Sequence, residues 1–180
     1  MYLSLKRGRT RQQLARFLVT RGLWLIFLEL TVIRFAWTFN LDYRILVLQV
    51  IWAIGWSMIV LAGLIFLSTP LVALFGVTMI ATHNLLDGIR LESFTMPDGC
   101  LSWVGWLWCI MHVENPPVYY PLIPWIGVMA AGYAFGAILL SDTHQRRRRL
   151  LLLGLALTST PHRTAKAADP DPARSTMDLI

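Results

Sequence analysis

The longest uninterrupted apolar run in the chain, Ile45 to Ser68, reads ILVLQVIWAIGWSMIVLAGLIFLS and carries no charged side chain; Gln49 and Ser57 are its only clearly polar members. As a helix rising about 1.5 Å per residue it would reach roughly 36 Å, more than the ~30 Å hydrocarbon thickness of a bilayer. A soluble core helix of this length would show a polar stripe at the 3.6-residue period, and none is visible here. The pattern therefore predicts a membrane-spanning helix.

Three further runs surround it. Leu14 to Trp37 is apolar but interrupted by Arg21, Glu29 and Arg34, two of them near its ends, where arginine can snorkel to the interface. Leu71 to Thr82 follows a break at Ser68, Thr69 and Pro70 and runs into HNLLDG, with Gly88 suited to a helix C-cap. Pro121 to Leu140 forms the fourth. Between the last two, LSWVGWLWCIMHV is apolar for only about thirteen residues, too few to cross, and its tryptophans favour a helix lying at the interface. Leu150 to Thr158 is apolar but stops at Ser159, an incomplete fifth span. The expected fold is all-α: a polytopic transmembrane bundle of four spans, a short interfacial helix and that incomplete fifth. It divides into a basic segment (1–13), a transmembrane domain (14–158) and a disordered tail (159–180) rich in Ala, Pro, Thr and Asp.

Charge then sets orientation. The formal net charge of +6 could suggest nucleic acid, but Lys6, Arg7, Arg9 and Arg11 precede the first span and Arg146 to Arg149 follow the fourth. Positive residues grouped at the ends of apolar runs are what membrane orientation requires. The termini and the turn at 69 are expected in the cytoplasm, and the loops at 38–44 and 89–120 outside. Composition agrees: 56% of residues are hydrophobic and 14% charged, a balance with too little polar surface for a soluble domain. Two cysteines, Cys100 and Cys109, do not make a disulfide framework; a bridge is open to them in the outer loop, with two thiols the favoured state.

No phosphate-binding loop, dinucleotide fingerprint, CxxC pair or HExxH motif is present, and a metal site lacks sufficient ligands. What the sequence offers is polar residues set against lipid. Glu29 would cost a few kcal/mol if ionised and unpaired in a bilayer, and Arg34, five residues on, lies about 140° away around an α-helix. Glu29 is therefore expected to meet a group on another helix, as a polar clamp or as part of a substrate or proton site. His83 and Asp87 are one α-helical turn apart with Asn84 alongside, so the carboxylate could orient the imidazole as a base; a polar helix end would look the same. His112 and Glu114 are a further nearby pair. Gly127 with Ala131, and Gly132 with Gly136, are spaced for close helix approach inside the bundle or with a partner helix.

Several of these pieces together resemble a known family. FLVTRGLWLIFLELTVIRFAWTFNLDY, LQVIWAIGWSMI, HNLLDG and YPLIPWIGVMAAGYAFG followed by RRRRLLLLGLALT are similar, in that order over about residues 10–158, to bacterial membrane proteins grouped with the heparan-α-glucosaminide N-acetyltransferase catalytic domain. The resemblance implies a polytopic helical fold in the bacterial cytoplasmic membrane and acetyl transfer from acetyl-CoA, as co-substrate, to an amino-sugar-like acceptor. It also implies a partial copy, because relatives carry further spans before and after the matched part, including the region of the proposed catalytic histidine. That histidine transfers to no position here. Two readings follow: an acyltransferase with Arg34, Asn84 and Asp87 at the outer ends of its spans, or a small non-catalytic membrane protein that assembles or binds a partner.

Overall fold

The structure, a computed structural model, describes residue 8 and residues 10–39, 48–96, 100–113 and 118–159. It falls into two compact units, Met1–Leu140 and Ser141–Ile180, taken separately below. Among the described residues the chain is all-helical apart from isolated bridges pairing Leu48 with Val118 and Thr95 with Leu101.

Helix α1, Arg11–Leu28, begins three residues before the expected span because Thr10 caps it. The Gln13 N–H donates to Thr10 Oγ1 at 3.2 Å and the Thr10 N–H to Gln13 Oε1 at 3.1 Å, a reciprocal pair that satisfies two exposed donors of the first turn. The helix runs on through a π-helical turn, Glu29–Ile33, into α2, Arg34–Thr38, with right-handed helical backbone at both junctions. Phe39 then stops it with φ at 47°, a left-handed conformation unusual for a side chain of this size.

The run Ile45 to Ser68 forms a shorter helix than its composition suggests. Helix α3 is Val50–Leu64, because Gln49 is extended and Leu48 pairs with Val118, while a turn opens at Phe66. The segment 40–47 lies outside the described residues. Helix α4, Thr69–Thr82, starts with Pro70 in its first turn, where the missing N–H costs nothing, and tightens into a 3-10 helix at His83–Gly88. A second 3-10 turn, Leu91–Phe94, leads to α5, Trp103–Met111, the expected short helix, opened by Ser102 Oγ accepting the Gly105 N–H. Helix α6 is Leu122–Leu139. By length and composition, two of the four expected spans stand out: Thr69–Gly88 and Leu122–Leu139 are long and apolar enough to cross a membrane, whereas Val50–Leu64 is apolar but shorter.

Two close crossings hold the first unit together. Helix α1 packs on α3 and α4 on α6, with α3 against α6 joining the pairs. At the first crossing a Cβ on Gly22 would stand 2.6 Å from the Gly55 carbonyl oxygen; at the second, one on Gly76 would stand 2.6 Å from the Ala131 nitrogen and 2.8 Å from the Gly127 oxygen. Only hydrogen fits at these points, which is how small residues let two backbones touch. The expected Gly127–Ala131 face is thus used inside the bundle. Gly132 is not: a Cβ there would meet nothing within 4 Å. Large apolar side chains including Leu23, Trp24, Phe27, Leu74 and Val77 cover the outside.

In the second unit, α7 is Thr143–Ser159. It contains the whole arginine run and the expected apolar stretch, with Leu151, Leu155 and Leu157 exposed. Its final carbonyls are met by hydroxyls, Thr158 Oγ1 donating to the Gly154 oxygen at 3.0 Å and Ser159 Oγ to the Ala156 oxygen at 3.1 Å.

Candidate functional site

The polar residues predicted on the first span are brought together by the π turn. The Arg34 N–H donates to the Glu29 carbonyl, five residues back rather than four. That bond stacks residue 34 over residue 29, so side chains that an α-helix would hold about 140° apart come onto one side. Both are buried, Glu29 at 1% exposure and Arg34 at 2%. Arg34 therefore does not snorkel outward as its place near the end of the run suggests. Arg21 does stay exposed, lying over the Phe17 ring at 5.6 Å.

Glu29 meets the next helix, as expected of a carboxylate that cannot leave the apolar layer. Its Oε1 accepts the Gln49 N–H at 2.9 Å, at the start of α3, where exposed backbone donors and the helix dipole favour negative charge. Its Oε2 is shut from solvent and has no hydrogen-bond partner. Leaving a buried acceptor unmade costs about 1–3 kcal/mol. Such an atom marks a place where a donor on a ligand would be accepted.

Asp87 is committed elsewhere than to His83. In a 3-10 helix each residue turns the chain about 120°, so positions four apart diverge instead of sharing a face. His83 Nδ1 lies 2.6 Å from the Ile80 carbonyl of its own helix, and Asn84 is exposed. Asp87 Oδ1 is 3.1 Å from Nε2 of His112, a side chain with only 6% exposure beside an Asp87 side chain at 65%. The His112 ring packs 5.0 Å from Trp108, whose indole N–H donates to the Ile89 carbonyl at 3.3 Å. Nδ1 of His112 is, among the described residues, the other buried side-chain polar atom without a partner. Glu114, the neighbour the sequence offered for His112, lies outside the described residues. Cys109 is buried on the same short helix and Cys100 is exposed.

The sequence neighbours of Glu29 and His112 pack on one apolar cluster. Leu48, Trp52, Val118, Leu122 and Ile126 form it, and Leu30, next to Glu29, and Met111, next to His112, pack on it. No group of three or more His, Cys, Asp and Glu side chains that could hold a metal ion occurs among the described residues. Farther along, an open groove of about 450 Å³ between α3 and α6 is lined by Gly132, Gly136 and mostly apolar side chains; its Ser57 hydroxyl donates to the Ala53 carbonyl at 2.7 Å.

Compared with known families, residues 1–162 match the one described as heparan-alpha-glucosaminide N-acetyltransferase, catalytic. The chain belongs to that family. It is thus an acetyltransferase-like member of a membrane protein family, as the resemblance of its segments implied. No curated protein and no solved structure matches it. Sequence reasoning singled out Glu29 and Asp87 in this family member but not the Asp87–His112 contact. The available signal was a lone histidine closing the tryptophan-rich helix, a polar group with no reason to sit there unless something meets it.

Proposed function

We propose that this chain forms the acceptor-binding end of a membrane acetyltransferase, with acetyl-CoA as co-substrate and an amino-sugar-like acceptor. The observation that carries the reading is the buried Glu29 carboxylate, one oxygen held by the Gln49 N–H and the other open to a donor. An ammonium or sugar hydroxyl supplies such a donor; a second anion does not. Arg34 is buried one wide turn beyond Glu29, and Asn84 and Asp87 stand on the 3-10 helix that follows α4. The apolar outer surface supports a lipid surrounding, with four spans in the bacterial cytoplasmic membrane and both termini on the cytoplasmic side.

The test is transfer of label from acetyl-CoA to glucosamine by the purified chain in lipid. Glu29→Gln keeps an oxygen for the Gln49 N–H while removing the charge, so it should abolish transfer with the folded yield nearly intact. If the chain neither transfers label nor binds the coenzyme, it is a non-catalytic membrane protein with a structural or partner-binding role, for which the Gly132 and Gly136 face is the place to look.

A further inference from the structure

We infer that the Asp87–His112 pair is the route by which the proton released in acetyl transfer leaves the protein, an inference that rests on the acetyltransferase reading. The balance of the reaction requires such a route. An acceptor that arrives as an ammonium must first lose a proton; the neutral amine then attacks the acyl thioester, the C–N bond forms, the C–S bond breaks and its electron pair leaves on sulfur. The nitrogen gives up two protons; sulfur takes one, and the other must reach water.

His112 spans the boundary that this proton has to cross. Its Nε2 faces an exposed carboxylate at 3.1 Å, and its Nδ1 is closed to solvent and unpartnered. A carboxylate at Nε2 selects the tautomer in which Nε2 carries the hydrogen, leaving the Nδ1 lone pair as an acceptor. Uptake at Nδ1 gives an imidazolium held by Asp87; loss from Nε2 to Asp87 hands the proton to water, and a half-turn of the ring then carries the remaining N–H to the Asp87 side and presents a bare nitrogen inward again. The surroundings hold the ring at this boundary. Trp108 packs on it and is tied to the Ile89 carbonyl, Phe94 lies 6.2 Å beyond on Trp108, and His112 closes α5 by donating its backbone N–H to the Trp108 carbonyl at 2.8 Å. A histidine needed only to close the helix would require neither the carboxylate nor a bare inner nitrogen.

Two measurements on the full chain in lipid nanodiscs test the relay. In ¹⁵N-histidine NMR, the signal lost in His112→Gln should show hydrogen on Nε2 and none on Nδ1 in the wild type, and Asp87→Asn should weaken that preference. In the acetyl-CoA and glucosamine assay, His112→Gln should slow transfer roughly 10²-fold or more, with partial rescue by added imidazole. Asp87→Asn, altering the exposed partner, should slow it less while raising the solvent deuterium isotope effect, and it keeps the test readable should His112→Gln fail to fold. A wild-type ring protonated at Nδ1, or a His112→Gln chain transferring at the wild-type rate, overturns the proposal. A wild-type chain with the expected tautomer but no transfer counts against the acetyltransferase reading instead, and the tautomer then decides the pair.

Discussion

The two ends of the helices in the first unit are packed alike and composed differently. At one end Leu14, Leu18, Met58, Leu61, Ile65 and Val72 interlock with Ala130 and Tyr133, and the charged group nearby, Arg11, stays exposed, donating from Nη1 to the Phe66 carbonyl at 2.8 Å. At the other, a cluster built on Leu48, Trp52, Val118 and Leu122 is bordered by the buried Glu29 and by His112. Buried ionisable groups at one end are hard to explain as a packing device, since among the described residues the apolar end is closed with no buried polar side chain beyond the self-satisfied Ser57 hydroxyl. A well-packed end sets the frame, and the end with the unpartnered polar atoms is the one the proposed function uses.

The comparison can be broken most severely at the apolar end. Leu61→Ala empties a fully buried site and should lower stability by roughly 2–5 kcal/mol. Measured as thermal unfolding in detergent, that loss should leave activity per folded molecule unchanged; a specific loss of transfer would show that the ends are not separable. At the polar end, Glu29→Leu strands the Gln49 N–H and should cost about 1–3 kcal/mol in the same measurement. Glu29→Gln should be nearly silent in stability and severe in activity, the opposite signature to Leu61→Ala. Smaller still, Thr10→Ala removes the α1 cap and should cost about 1 kcal/mol, with transfer intact. Gly132→Ala sets a reference for no effect: its Cβ meets open space, so the shift should stay within about 0.5 kcal/mol, unlike the same change at Gly76.

Most of the helices were legible because apolar runs and their Pro and Ser breaks are local signals. The family resemblance was legible for the same reason, in short contiguous segments and their order along the chain. What escaped were features that depend on helix type. A π turn changes which side Arg34 occupies, and a 3-10 turn separates His83 from Asp87, yet neither alters the hydrophobic pattern from which an α-helix is read. The start of α3 was misplaced because Leu48 and Gln49 are as compatible with a helix as their neighbours, and pairing with Val118 decides against it. Asp87 and His112 are brought together across 25 residues, a separation at which one sequence holds no signal of contact. The Gly22–Gly55 crossing joins two isolated glycines, whereas Gly127 and Ala131 announced themselves by spacing.

The wide turn at Glu29–Ile33 sets the rotational phase of everything from there to Thr38 relative to Arg11. Its surplus is a single residue. Winding the same five residues as an ordinary α-helix would turn position 34 about 140° from Glu29, whereas deletion of one codon between Leu30 and Val32 would place the arginine four residues after Glu29, again on the same side. Among homologous chains, a one-residue gap at this place is the expected companion of an ordinary winding, because only the two changes together keep the two polar positions on one side.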